Sequence, residues 1–112
     1  MNRRLNTENM KRLFQAVVSL QNEEECARFF EDICTIKEVL DMAQRLDTAV
    51  MLRKGANYQT VSKEIGISTA TISRVKKCLD YGSGGYALAL DRLEESTAAG
   101  GDPAVLADNG NE

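Results

Sequence analysis

Residues Tyr58 to Leu79, YQTVSKEIGISTATISRVKKCL, limit the possible fold more than any other part of the chain. Val61 and Ile65 are four apart and share one face of a helix. Gly66 follows, the residue type that takes a positive φ without steric cost, so the helix ends there and the chain turns sharply. Ile67 plugs the angle. Ser68 then precedes TATISRVKKCL, where its hydroxyl can accept a backbone N–H of the new first turn, so it reads as an N-cap. Ile72 and Val75, three apart, turn back toward the first helix, and small Ser62 lets the two helices approach closely. This spacing predicts a helix-turn-helix.

Corners of this kind also occur in all-α proteins that never touch nucleic acid, and their apolar residues would be the same. The outward face of the second helix separates the two readings. Thr69, Ala70, Ser73, Arg74, Lys76 and Lys77 are small or hydrogen-bonding near its start and basic toward its end. Small residues let a helix sit deep in a major groove, where hydroxyls and a methyl read base edges while arginine and lysine meet phosphates or guanine. A helix made only for packing more often carries glutamates there. The expected ligand is double-stranded DNA.

Charge is distributed to match. Between Arg45 and Leu79 there are seven basic residues, Arg45, Arg53, Lys54, Lys63, Arg74, Lys76 and Lys77, against Asp47 and Glu64, giving plus five in a chain whose net charge is −3. An acidic chain thus carries a basic segment at the motif.

Composition excludes other classes. The 112 residues contain no histidine, so the usual general base and the commonest metal ligand are missing, and no enzymatic role, cofactor or metal is expected. Cys26, Cys34 and Cys78 are widely spaced, without a Cys-x-x-Cys pair, and read as reduced, buried small hydrophobes rather than a disulfide framework or zinc site. The three consecutive glutamates Glu23, Glu24 and Glu25 sit where a helix start attracts acids, which requires no catalysis. No apolar run reaches membrane-spanning length, and the start of the chain lacks a signal peptide's apolar core, so a cytoplasmic location is expected and no membrane partner.

Helical signals continue on both sides of the motif. From Thr7, Met10, Leu13, Phe14, Val17 and Val18 recur at three and four, predicting an amphipathic helix to about Gln21. Asn22 with Glu25 forms a capping box for a second helix bearing Cys26, Phe29, Phe30 and Ile33, and Thr35 with Glu38 repeats the box for a third. That third helix carries Val39, Leu40, Ala43, Leu46, Val50 and Leu52 and ends near Gly55. Gly82, Gly84 and Gly85 predict a flexible joint before a last helix from about Tyr86 to Glu95, with Leu90 and Leu93 on one side. From Thr97 onward there is little to bury, so a disordered tail over 97–112 is expected after a domain spanning 1–96. A single small domain gains stability by association, so a dimer is expected.

The run QRLDTAVMLRKGANYQTVSKEIGISTATISRVKKCL, with six predicted helices in this order, resembles the Trp operon repressor superfamily, most closely its TrpR-related branch of the YerC/YecD type. The resemblance covers roughly Leu5 to Leu93, and its most specific piece is Ser-Thr-Ala-Thr-Ile-Ser-Arg, Ser68 to Arg74. It implies an all-α, six-helix fold and an intertwined homodimer in which the first helices of both subunits interlock. The apolar faces of the first three helices, wider than one small core needs, suit that arrangement. The family's base-reading positions fall on Thr69, Ala70 and Ser73, with Ser68, Gln59, Lys76 and Lys77 suited to backbone contacts.

In the tryptophan-binding members two arginines sandwich the indole, and they align with Arg45 and Arg74. The glycine after the second arginine is here Val75, and the serine three further on is Cys78. A valine intrudes where the ring edge lies, and a thiol is a poor acceptor for an ammonium group. A small-molecule effector pocket at Arg45, Arg74, Val75 and Cys78 is therefore expected not to take L-tryptophan. A salt bridge from Arg45 to Asp41 or Asp47 is the alternative use of that arginine. The functional expectation is a sequence-specific transcriptional regulator, a repressor, on a near-palindromic operator. The alternative is a protein-interaction module that keeps the helix-turn-helix frame without binding DNA.

Overall fold

Side-chain caps decide where most of the helices begin. The computed structural model describes residues 3–98, and among them are a 3-10 turn at Arg3–Leu5, six α-helices and no strand. Thr7 accepts the Met10 N–H and opens α1 (Glu8–Ser19). The Asn22 side chain accepts the Glu25 N–H at 2.9 Å and opens α2 (Glu23–Ile33). Glu25 returns a bond to the Gln21 N–H at 2.9 Å rather than to Asn22, holding the connection in place, and α1 stops at Ser19, short of the expected Gln21.

Thr35 and Glu38 form the full reciprocal box at the start of α3 (Ile36–Arg53). The Glu38 N–H donates to Thr35 Oγ1 at 3.1 Å and the Thr35 N–H donates to Glu38 Oε1 at 2.8 Å. At the far end Gly55 takes φ 93°, the Ala56 N–H reaches back to the Met51 carbonyl at 3.0 Å, and the Gly55 N–H bonds the Leu52 carbonyl at 3.0 Å. That pair of bonds is a Schellman closure, which needs a left-handed residue and finds a glycine. Then follow α4 (Tyr58–Ile65), α5 (Thr69–Tyr81) and α6 (Gly85–Ala98).

The chain divides into two units, one up to Gln44 and one from Arg45. In the first, neither α1 nor α2 buries a single residue, and Val18, Ile36 and Leu40 are 82%, 75% and 59% exposed. Those three side chains are therefore largely uncovered in one copy of the chain, while Leu13, Phe29 and Phe30 are half-buried. The second unit holds the core. Ala49 of α3, Val75 of α5 and Leu90 of α6 are almost wholly buried together, with Leu46, Val50, Leu52, Leu79 and Tyr86 packed around them. Thr48 is also fully buried.

One expectation needs correction here. None of the three cysteines is buried: Cys26 and Cys34 are half-exposed and Cys78 is exposed. Cys78 adjoins Leu79 in sequence, which puts it about 100° round the helix from the buried side. The glycines after α5 meet specific steric demands. A Cβ on Gly82 would lie 2.4 Å from the Cys78 carbonyl oxygen, and Gly84 takes φ 87°. Only a residue without a side chain fits the first position, and α6 then starts at Gly85 and runs on to Ala98. The expected tail lies outside the described residues beyond that point.

The guanidinium of Arg53, at the end of α3, holds α6 by an ion pair to Asp91, a longer one to Glu94 at 3.7 Å and a bond to the Ala87 carbonyl at 3.5 Å. The hydrogen bond that Arg53 donates to Asp91 keeps it still more firmly protonated than an ordinary arginine.

Glu38 supplies a pH test of the α3 cap. Its bonds from the Thr35 backbone and hydroxyl hold its carboxyl below the ordinary carboxylate value. A depressed folded pKa contributes stability that is complete above the unfolded value and fades as pH falls through the folded one. Glu38→Gln should therefore unfold at lower urea than the parent at neutral pH and at the same urea in acid. Identical midpoints at neutral pH would remove the cap's contribution.

Candidate nucleic-acid interface

The corner between α4 and α5 is closed from both sides by Ser62. Its carbonyl accepts the Gly66 N–H at 2.8 Å, and its hydroxyl donates to the Ile67 carbonyl at 2.8 Å. The sequence points to its small size, but the second bond is visible only in three dimensions. Gly66 itself is left-handed, φ 80° and ψ 36°, and ends α4. Val61 of α4 and Ile72 of α5 are fully buried, while Ile65 and Ile67 are half-buried at the corner. This is the predicted helix-turn-helix.

Both helices of the motif start on side-chain caps. Ser68 accepts the Thr71 N–H at 3.2 Å, as its place before α5 predicts, and its hydroxyl also lies 3.1 Å from Thr71 Oγ1. Asn57 accepts the Thr60 N–H at 2.8 Å and starts α4, a cap the sequence reading passed over although asparagine is a common one.

Burial gives α5 its direction. Ile72, Val75 and Leu79, at three- and four-residue spacing, occupy the inner side. Thr69, Ala70, Ser73, Arg74 and Lys77 are all exposed, and helical periodicity sets Ala70, Ser73 and Lys77 opposite that inner side. Gln59 is exposed on the first turn of α4. Lys76 is exposed too, with its ammonium 3.3 Å from Asp80 of the same helix. Sequence reasoning did not single out Asp80, though its spacing of four from Lys76 is an ordinary helical pair.

Of the seven cations counted in the sequence, Arg45, Lys54, Lys63, Arg74 and Lys77 have no ion pair among the described residues, whereas Arg53 and Lys76 do. Free cations raise the local potential and can displace counterions from a polyanion. The alternative use of Arg45, an ion pair with Asp41 or Asp47, is not formed; Asp41 is held by Lys37 at 2.9 Å.

Among the residues proposed for an effector pocket, Arg45 and Arg74 are exposed and Cys78 is exposed, but Val75 is only 2% exposed and packs with Ala49 and Leu90. Its isopropyl group fills the space where α3, α5 and α6 meet. No described helix is long and apolar enough to cross a membrane.

The family model of the Trp repressor protein matches residues 8–94. The chain is 50% identical over 93 residues to the uncharacterized protein YerC of Bacillus subtilis, covering 83% of this chain and 89% of YerC. The crystal structure of a TrpR-like protein from Eubacterium eligens is similar with TM-score 0.81 and 45% identity, over 83% of this chain and 96% of that one. A candidate Trp repressor from Staphylococcus aureus follows with TM-score 0.78 and 44% identity, over 81% and 91%.

The double role of Ser62 can be tested by two substitutions. Ser62→Ala keeps the room and loses the bond to Ile67, costing about 1 kcal/mol in chemical denaturation. Ser62→Leu also forces a larger side chain into the corner, for about 1–3 kcal/mol more. Parent-like stability of the leucine variant would contradict the tight corner.

Proposed function

Because this chain belongs to the Trp repressor protein family, we propose that it is a sequence-specific DNA-binding transcriptional regulator, a repressor, that reads a near-palindromic operator as a homodimer. The observation that carries this reading is the composition of the exposed side of α5. Hydroxyls and a methyl at its start, Thr69, Ala70 and Ser73, lie ahead of the unpaired cations Arg74 and Lys77. Such a helix can approach base edges closely and anchor on phosphates. Ser68, already used as a cap, and Gln59 stand beside it at helix starts, where backbone N–H groups favour phosphate oxygens.

The uncovered apolar residues of the first unit support the homodimer. Val18, Ile33, Ile36 and Leu40 are each more than half exposed, and burying such residues against a second copy would remove their contact with water. Two α5 helices related by a twofold axis would meet half-sites about one helical turn apart. The same apolar residues are what a protein-interaction module would use. Capture of a protein partner with no duplex retention at low salt would favour that second reading.

Selection from a random duplex library with purified protein tests the proposal, with and without candidate metabolites. Enrichment of a palindromic site supports it, and recovery of unenriched sequence opposes it. Within the selected site, Thr69→Ala and Ser73→Ala should relax sequence choice, each at about 1–3 kcal/mol where a base contact is lost. Arg74→Ala should weaken specific and non-specific binding together. Equal binding of the parent and Ser73→Ala to all duplexes would count against direct readout.

We also propose that the regulator does not depend on tryptophan. Val75 is core in this chain, and moving it to admit an indole would open the Ala49, Val75 and Leu90 contact. L-tryptophan should leave the melting temperature unchanged, since a ligand raises it only by preferring the folded state. A dose-dependent rise in a thermal melt would overturn this.

A further inference from the structure

We propose that Arg53 is a positioning residue for α5, and not one of the cations that meet DNA. This inference rests on the DNA-binding reading above. Arg53 follows Ala49 by four residues, one turn along the same side of α3. Its three guanidinium nitrogens all go to α6: Nη2 to Asp91, Nε to Glu94 at 3.7 Å, and Nη1 to the Ala87 carbonyl at 3.5 Å. Ala87, Asp91 and Glu94 are spaced four and three apart and flank Leu90, so they form one side of α6.

The contact between α3 and α6 therefore has two successive layers. The first is Ala49 against Leu90, and the second is Arg53 against Asp91 and Glu94. Val75 of α5 is seated in the first layer. Loosening the second layer frees α6 to shift, and α6 supplies one of the walls that hold Val75 and hence the outward aim of Thr69 and Ser73. Only a planar fork with several donors spans this side of α6; a lysine ammonium is a point charge and cannot.

The ion pairs are partly exposed, with side-chain exposures of 34% for Arg53, 52% for Asp91 and 65% for Glu94. Pairs in such surroundings contribute little to global stability, so the variants should remain folded. The sequence alone counts Arg53 within the basic segment and gives no sign of its pairing with α6.

The two roles predict opposite signs for one conservative change. If Arg53 met phosphate, Asp91→Asn would release it and tighten DNA binding, and Arg53→Lys would behave like the parent. A positioning role predicts that Asp91→Asn and Arg53→Lys each lower the ratio of selected-site to random-duplex affinity by about fivefold. The double variant should be no worse than either alone, because both remove one interaction. The slope of log affinity against log salt should stay at the parent value for Asp91→Asn, whereas an arginine released onto a phosphate steepens it by about 0.9. The measurement is a titration of full-length protein into both duplexes at several salt concentrations, with thermal melts of each variant. A parent-like ratio for either variant, or tighter binding of duplex by Asp91→Asn, overturns the proposal while leaving the DNA reading intact. A parent protein that retains no duplex at low salt removes the DNA reading and this inference with it.

Discussion

The contact of Val75 with Ala49 and Leu90 gives the exposed side of α5 its meaning. A helix has an outward side only once its inward side is fixed, and here three elements converge on one isopropyl group. Ala49, fully buried on α3, brings only a methyl group to that contact. Ile72 and Val61 fix the other end of α5 against α4, and the Ser62 bonds set the corner between them. Thr69, Ala70, Ser73, Arg74 and Lys77 face solvent as a result. In the proposed reading the residue that aims the helix also occupies the space a ring ligand would need, which ties effector independence to the fold itself.

The first unit follows a different logic. Its helices α1 and α2 are well capped, through Thr7 and through Asn22 with Glu25, yet they bury nothing completely. Local hydrogen bonds can set the ends of a helix, but most helical stability in proteins comes from packing an apolar side. Those sides are only partly covered in a single chain, and a second copy of the same surface is the covering that the homodimer reading supplies.

Features written in short-range chemistry were legible in the sequence. Ser68, Asn22 and Thr35 act on N–H groups three residues on, and Gly66 and Gly55 are demanded by left-handed turns, so each leaves a local mark. The outward residues of α5 were legible because helical periodicity sets them against Ile72 and Val75. Thr48 and Ala49 escaped because small side chains add little to an apolar period even when they are the most buried residues of their helix. Cys78 was misjudged by residue type, since its neighbour Leu79 already takes the inner side. The pairing of Arg53 with Asp91 spans 38 positions of sequence, and no local pattern reveals it. Lys76 with Asp80 was within reach of a spacing argument, and Gly82 required knowing where the Cys78 carbonyl points.

The central claim is that DNA meets the side of α5 opposite Val75. Titrating isotope-labelled protein with its selected duplex and following backbone chemical shifts by NMR tests this most directly. The account predicts the largest perturbations at Thr69, Ala70, Ser73, Arg74 and Lys77, with lesser ones at the start of α4 around Gln59. Perturbations confined to α1 and α2, or none at all on α5, would contradict it.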